Sequence, residues 1–291
     1  MLNMKYLIVS IASVFLALGI GIFIGIMFDG QYIFLNQQES IINDLENRFD
    51  EIKEANSELL DTIEIKNKHI NHYEDFTNII FPKLIEGKLN NMKIAIIETN
   101  DDYIYNDINS IILKSGGFLN STTYIKKEFL LEDDDKFQDI YNYFIENKQV
   151  NISKEDFLYT LSENLAIAII EKDLDTLQFL KEKDVIELRG NYMDSADCFI
   201  IAGGSGLEEP DKMIQNIDIP IIKKIKQYNM PIVGVEQSDV KYSYIEKYKK
   251  QKISTIDNVN TMIGQYSLIE VLVGNYGNYG IKPSANRLIP Q

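Results

Sequence analysis

Residues 6–28 read YLIVSIASVFLALGIGIFIGIMF, and this stretch decides the architecture of the chain. Its 23 residues contain no Asp, Glu, Lys or Arg, and a helix of ~20 apolar residues is long enough to span a bilayer. The run is longer than the apolar region of a cleavable signal peptide, and no small-x-small cleavage site follows it. We therefore predict an uncleaved transmembrane anchor over residues 1–28. A cleaved signal peptide and a buried core helix are the alternatives.

The charges on either side of this span predict its orientation. Lys5 precedes the span, whereas Asp29, Glu39 and Asp44 come before the next cation, Arg48. Cytoplasmic flanks of membrane helices are enriched in Lys and Arg. We expect a single-pass protein of the cell membrane with its amino terminus in the cytoplasm and most of the chain outside the cell.

Small residues recur every four positions within the span, at Ser13, Ala17, Gly21 and Gly25. This spacing places them on one face of a helix, where two backbones can approach closely in lipid. Gly and Ala are also common in membrane helices that do not pair. The stripe therefore suggests, without requiring, that two copies associate through Gly21 and Gly25.

A heptad pattern follows the span and strengthens the prediction of a pair. The a positions are Leu35, Ile42, Phe49, Asn56, Ile63 and Ile70, and the d positions are Gln38, Leu45, Ile52, Leu59, Lys66 and Tyr73. Nine of these twelve residues are apolar or aromatic, a pattern typical of a coiled coil. We predict a stalk over residues 29–80 that forms a parallel homodimer from Leu35 to Tyr73. The alternative is a long helix packed on its own domain.

Composition limits the function classes that remain. The chain has 44 acidic and 29 basic residues and a net charge of −15, which argues against nucleic-acid binding because phosphates require a basic surface. The single cysteine, Cys198, excludes an intramolecular disulfide. We expect a domain that is stabilised by its hydrophobic core.

Residues 81–291 alternate apolar runs with amphipathic segments, which predicts an extracytoplasmic α/β domain. The expected strands are residues 93–98, 122–125, 196–202, 231–235 and 253–256, with a short apolar segment at 185–188. The expected helices are residues 102–114, 134–147, 153–170, 211–228 and 259–273. Continuous apolar strands separated by helices indicate a sheet covered on both faces. The predicted fold class is a doubly wound, mostly parallel α/β domain whose strand order is open.

Ligands of such sheets bind beyond the carboxyl ends of the strands. The residues at these ends form a predicted acidic rim: Glu98, Asn100, Gly203, Gly204, Ser205, Glu236 and Asp257. Carboxylate, amide and hydroxyl oxygens can hold a hard cation or a polar ligand. The bland alternative is that these polar residues are ordinary helix caps and that the glycines form a tight turn.

The two histidines of the chain, His69 and His72, both lie in the predicted stalk. Their three-residue spacing places them on one helix face, and two imidazoles suit Cu(II) or Zn(II). Two solvated side chains are the simpler interpretation. A Ser-His-Asp or Cys-His arrangement would require the stalk to fold back on the domain. We therefore predict that the protein is not an enzyme.

Both ends of the sequence resemble a known family. The start, at residues 4–10 and 15–22, is similar to bacterial copper transporters related to the mycobacterial copper transport protein B. Residues 255–261, Gly264-Gln265 and the repeat at 274–280 are also similar to this family. The combination of anchor, coiled coil and α/β domain agrees with it.

The resemblance implies a role in copper homeostasis or copper transport at the cell envelope, with copper as the ion concerned. Mycobacterial members are described as channel-like. Some actinobacterial relatives are linked instead to cell separation through control of wall hydrolases. The alternative is therefore a non-enzymatic envelope scaffold or regulator whose domain is presented to a protein partner.

Overall fold

The computed structural model describes residues 4–148, 153–206 and 210–291 of the chain. Its first element, α1, is one uninterrupted helix from Met4 to Ile85. Within α1, Met4–Phe28 is long and apolar enough to cross a membrane. The chain divides into two compact units, Met1–Phe76 and Thr77–Gln291. The first unit is helical, and the second contains the sheet.

Apolar heptad side chains of the stalk are exposed in the single chain. More than half of the surface of each of the following is accessible: Ile42, Leu45, Phe49, Ile52, Leu59, Ile63 and Ile70. The side chain of Leu35, the first predicted a position, lies outside the described residues. The stalk therefore presents a row of large apolar groups that the chain itself does not cover.

The second unit is built on a seven-stranded sheet in the order β3-β2-β1-β4-β5-β6-β7. The strands are β1 (Lys93–Glu98), β2 (Phe118–Ile125), β3 (Ile186–Gly190), β4 (Cys198–Ala202), β5 (Ile232–Val235), β6 (Ser254–Ile256) and β7 (Asn278–Tyr279). All neighbouring strands are parallel except β2 and β3. The order reverses direction between β1 and β4, and this is where doubly wound sheets bind ligands.

Helices cover both faces of the sheet. They are α2 (Asn106–Lys114), α3 (Asp134–Lys148), α4 (Phe157–Glu171), α5 (Leu174–Glu182), α6 (Pro210–Met213), α7 (Ile219–Gln227), α8 (Ile245–Lys250) and α9 (Met262–Leu272). One core contains the buried residues of α3, α4, α5, α7 and α8, and the other contains those of α2, α9 and the end of α1. The mostly parallel α/β fold class predicted from the sequence is confirmed.

Several elements differ from the prediction. The short helices α5 and α8 were not expected, nor was β7, which pairs with β6. The predicted helix at 211–228 contains a π-helical turn, Ile214–Asp218. The segment at 185–188 becomes the antiparallel edge strand β3, a common feature of otherwise parallel sheets.

Candidate functional site

Glu98 is the last residue of β1, and its side chain lines a cavity of about 400 Å³ beside α2. Only 4% of the residue is exposed. Burial raises the pKa of Glu98 to about 7, although the backbone N–H of Tyr105 and the charge of Arg189 oppose this shift. Near neutral pH the carboxyl group is therefore close to half protonated, which suits it to exchange a proton or to pair with an incoming cation.

Asn100 lies between the carboxyl ends of β1 and β4, where the strand order reverses. Its Nδ2 donates a hydrogen bond to the carbonyl oxygen of Gly204 at 2.9 Å, and its Oδ1 accepts one from the backbone N–H of Asp102 at 3.1 Å. The side chain thus ties the loop after β1 to the loop after β4. This part of the predicted rim is engaged by the protein's own backbone.

The glycine turn after β4 allows two tyrosines to pack close to the sheet. A Cβ at Gly203 would collide with the Tyr248 hydroxyl group and the Tyr244 ring. Gly204 has a φ of +94°, a conformation that favours glycine. The Gly203 carbonyl oxygen accepts a hydrogen bond from the Tyr105 hydroxyl group. Packing and backbone geometry therefore account for both glycines.

Ser205 has a carboxylate as its neighbour rather than a histidine. Its Oγ donates to Asp102 Oδ2 at 2.7 Å, and the backbone N–H of Gly206 donates to the same oxygen at 2.9 Å. A nucleophilic serine needs a general base that is oriented by a third group. The arrangement around Ser205 instead closes the turn.

Glu236 and Asp257 bind the carboxyl-terminal part of the chain. Fully buried Glu236 accepts hydrogen bonds from Ser243 Oγ at 2.6 Å, the Tyr244 N–H at 2.8 Å and Lys282 Nζ at 2.6 Å. Burial raises the pKa of Glu236, and the bond from Lys282 opposes this effect. Asp257 accepts from the backbone N–H groups of Ile281 at 2.7 Å and Lys282 at 2.9 Å. Both acids are therefore occupied by the tail.

The predicted rim residues thus make three sets of contacts, and Tyr105 links two of them through its bonds to Glu98 and Gly203. Asn100, Gly203, Gly204 and Ser205 join the loops at the reversal of strand order, and Glu236 and Asp257 hold the tail. Glu98 faces a cavity of its own. The sequence correctly placed these residues at strand ends, but it could not reveal which partners they have.

One buried acid was missed by the sequence argument. Asp218 ends the π-helical turn, and its Oδ1 accepts hydrogen bonds from Thr99 Oγ1 at 2.9 Å and from the Tyr248 hydroxyl group. Its Oδ2 has no hydrogen-bond partner among the described residues. Burial raises the pKa of Asp218 to about 7, although the bonds from Tyr248 and Thr99 lower it. The only sequence feature that could have indicated a buried acid here is that Asp218 stands alone among the isoleucines of residues 214–222.

The potential copper ligands are dispersed. His69 and His72 are exposed on α1. Burial raises the pKa of the Cys198 thiol to about 12, whereas metal binding requires the thiolate. Among residues 4–148, 153–206 and 210–291, no group of three or more His, Cys, Asp or Glu side chains is arranged to hold a metal ion.

Comparison with known proteins places this geometry in a family. The model of a family described as copper transport outer membrane protein, MctB, matches residues 1–290. No curated protein sequence matches the chain significantly. The family match spans the anchor, the stalk and the α/β domain, and it confirms the resemblance found at the two ends of the sequence. The chain therefore belongs to the MctB family of copper-transport-related envelope proteins.

Proposed function

We propose that this protein is a membrane-anchored, coiled-coil homodimer that acts in copper homeostasis at the cell envelope. The observation that carries the proposal is the continuity of α1, in which an apolar segment long enough to span a membrane leads directly into the stalk. Membership of the MctB family supplies the copper-related role. The anchor keeps the α/β domain at the membrane.

The exposed stalk residues support the pairing. Ile42 occupies an a position and Leu45, Ile52 and Leu59 occupy d positions, and each is more than half exposed in the single chain. A second parallel helix would bury these side chains, and burial of a Leu or Ile side chain contributes about 1.5–3 kcal/mol. Asn56 at an a position would fix the register of a parallel pair at a cost in stability.

The membrane segment is compatible with the same pairing. A Cβ placed on Gly21 or Gly25 would meet no heavy atom within 4 Å. The face that carries these glycines is therefore open to a second helix, and small residues favour such contacts in lipid. Lys5 before the span and the acids after it support an orientation with the α/β domain outside the cytoplasm.

Copper would be held on the stalk by a pair of imidazoles in each chain. His69 and His72 lie three residues apart on one helix face, at a g and a c position of the heptads, so a parallel dimer would present two such pairs on opposite sides. Imidazole nitrogen is a good ligand for Cu(II). In this proposal the α/β domain acts without catalysis, which agrees with the location of both histidines outside it.

Copper loading of the purified full-length chain in detergent tests this proposal. We expect about one copper ion per chain, and we expect the double substitution His69→Ala/His72→Ala to abolish the binding. The matched control is Asn67→Ala/Asn71→Ala, which changes neighbouring positions of the same helix. Failure of the wild-type protein to bind copper, or equal binding by both double variants, would contradict the histidine site.

A scaffold or regulator of cell separation is the second candidate. It is favoured by the acids of the predicted rim, since Glu236 and Asp257 are engaged by the protein's own tail and are not open to a metal. Deletion of the coding sequence separates the two candidates when copper content and cell chaining are scored in the same strain. Altered cellular copper with normal separation supports copper homeostasis. Normal copper with chained cells supports the regulator.

A further inference from the structure

The Glu98 cavity is a built pocket on one face of the sheet. Strands β1, β2 and β3 form its floor, and α2 forms a wall. Its lining residues are Ile96, Glu98, Tyr105, Asn106, Asn109, Leu119, Ser121, Thr122, Tyr124, Arg189 and Gly190. Its volume of about 400 Å³ is in the range of cavities that hold small molecules.

Two side chains of opposite charge face this cavity without forming an ion pair with each other. Glu98 is hydrogen-bonded to the backbone N–H of Tyr105. Arg189 uses Nε for Glu187 at 2.8 Å and Nη1 for the Tyr124 hydroxyl group at 3.4 Å. A guanidinium has five N–H donors, so Arg189 retains donors for a carboxylate in the cavity.

The burial of Glu98 makes a cationic partner favourable. Desolvation raises the pKa of this carboxyl group to about 7, because a carboxylate is poorly solvated there. A ligand ammonium group beside Glu98 would favour the ionised form. The other charged or titratable groups that act on this region include Arg189, the acids Glu187 and Glu236, and the phenols of Tyr105 and Tyr124. None of the phenols ionises near neutral pH, since burial raises the pKa of both.

We propose that the Glu98 cavity binds a small zwitterion, a free amino acid or a short peptide, with its ammonium group at Glu98 and its carboxylate at Arg189. A simple cation would be repelled by Arg189, and a simple anion would be repelled by ionised Glu98. A molecule that carries both charges satisfies both residues. The amides of Asn106 and Asn109 and the hydroxyl group of Thr122 add polar contacts, and Ile96 and Leu119 accept a small apolar side chain.

Calorimetric titration of the full-length protein in detergent tests the proposal with glycine, L-alanine and L-alanyl-L-alanine as probes. Ethylamine and acetate carry only one of the two charges and serve as the matched ligands. We expect saturable binding of at least one zwitterionic probe, at least about tenfold tighter than ethylamine or acetate. The amino acids and the dipeptide distinguish the two sources of this chemistry. No saturable binding of any zwitterion, or equal binding of a single-charge ligand, would overturn the proposal.

Substitutions test the contributions of Glu98 and Arg189 to binding one at a time. Glu98→Gln and Arg189→Gln should each weaken zwitterion binding by about tenfold or more, whereas Arg287→Gln, which removes an exposed arginine that does not line the cavity, should leave it unchanged. Thermal unfolding of each variant shows whether it is folded. Arg189→Lys keeps the charge and should retain part of the affinity. Loss of binding in only one of Glu98→Gln and Arg189→Gln would refute a site that reads both charges.

Proton release gives a readout that a merely structural role would not produce. Because binding favours ionised Glu98, the wild-type protein should release protons on binding at about pH 6 and almost none above about pH 8, where Glu98 is already ionised. Titrations in buffers of different ionisation enthalpy measure this release. Glu98→Gln should abolish it at any residual affinity. Equal proton release by wild type and Glu98→Gln would contradict the placement of the ammonium group.

Discussion

The stalk and the α/β domain differ in which side chains they bury. Along the stalk, large apolar residues such as Leu45 and Ile52 are exposed in the single chain. In the domain, even the acids at the strand ends are buried and engaged, as Glu236 is by Lys282. The tail of the chain covers the acids of the domain, whereas the apolar a and d residues of the stalk are uncovered in the single chain. We propose that a second copy covers them.

The largest effect is expected from charges placed at d positions of the stalk. Ile52→Lys/Leu59→Lys should weaken dimerisation of the full-length chain by about 100-fold or more, because two lysines per helix would be buried in the pair. Glu54→Lys/Asp61→Lys places the same groups on the opposite side of the helix and should leave the dimer intact. Sedimentation equilibrium in detergent measures both. Equal dimerisation of the two double variants would show that the a and d face of the stalk is not a dimer interface.

The second-largest effect is expected from the contact between Lys282 and the buried Glu236. Lys282→Met leaves the Glu236 carboxylate buried without its cation, and we expect a loss of about 3–5 kcal/mol in the free energy of unfolding. Lys126→Met removes a cation from an ion pair with largely exposed Asp184 and should change stability far less than Lys282→Met, because solvent screens exposed ion pairs. Urea unfolding followed by tyrosine fluorescence is suitable, because the chain has 17 tyrosines and no tryptophan. Similar losses in both variants would show that the tail contact is not specially buried.

The glycine turn allows a narrower test of packing inside the domain. A Cβ at Gly203 would collide with Tyr248 and Tyr244, so Gly203→Ala should destabilise the fold by about 2–3 kcal/mol. A Cβ at Gly206 would have its nearest contact, with Asp102, at 3.9 Å, and Gly206→Ala should change stability by less than about 0.5 kcal/mol. The same urea unfolding measurement compares them. A tolerated Gly203→Ala would mean that the tyrosines are loosely packed.

The smallest effect is a pH dependence that arises from two buried acids. The pKa of Glu98 is raised from 4.5 to about 7, and that of Asp218 from 3.8 to about 7. The folded state therefore binds protons more tightly than the unfolded state. Stability is greatest below the unfolded values and is lost as the pH rises through about 7.

Glu98→Gln and Asp218→Asn should reduce this loss of stability, each by about 1–2 kcal/mol between about pH 6 and pH 8. Glu146→Gln, at an exposed position of α3, is the control and should keep the wild-type dependence. Urea unfolding midpoints measured across this pH range compare the pH dependence of stability in the wild type and the variants. If the wild-type protein became more stable toward pH 8, and the two substitutions removed that gain, the raised pKa values of Glu98 and Asp218 would be contradicted.

The sequence predicted the parts of the fold that depend on local pattern. Strands β1 and β4 were recognisable because they are continuous apolar runs, and α1 because it has a heptad repeat. The short elements α5, α8 and β7 were not predicted, since six to nine residues, or two in β7, carry too little periodicity. Their positions are determined by packing against the sheet.

The candidate site was predictable in position and not in partners. Glu98, Glu236 and Asp257 follow from the rule that ligands bind at strand ends, and the structure places all three there. Their contacts come from distant residues, such as Lys282 for Glu236, which is 46 positions away. Asp218 was missed because its contact with Thr99 spans 119 positions. No local pattern encodes such separations.

Disulfide cross-linking of the stalk, in the membrane-anchored full-length chain, tests whether two copies of this helix pair in parallel. In a Cys198→Ser background, Leu45→Cys places a thiol at a d position, and Asn47→Cys places one on the opposite side of the helix. A parallel dimer brings the two copies of residue 45 within disulfide distance and keeps the two copies of residue 47 apart. We expect rapid, nearly complete cross-linking at position 45 and little at position 47 in native membranes. No cross-link at position 45, or equal cross-linking at both, would contradict parallel pairing.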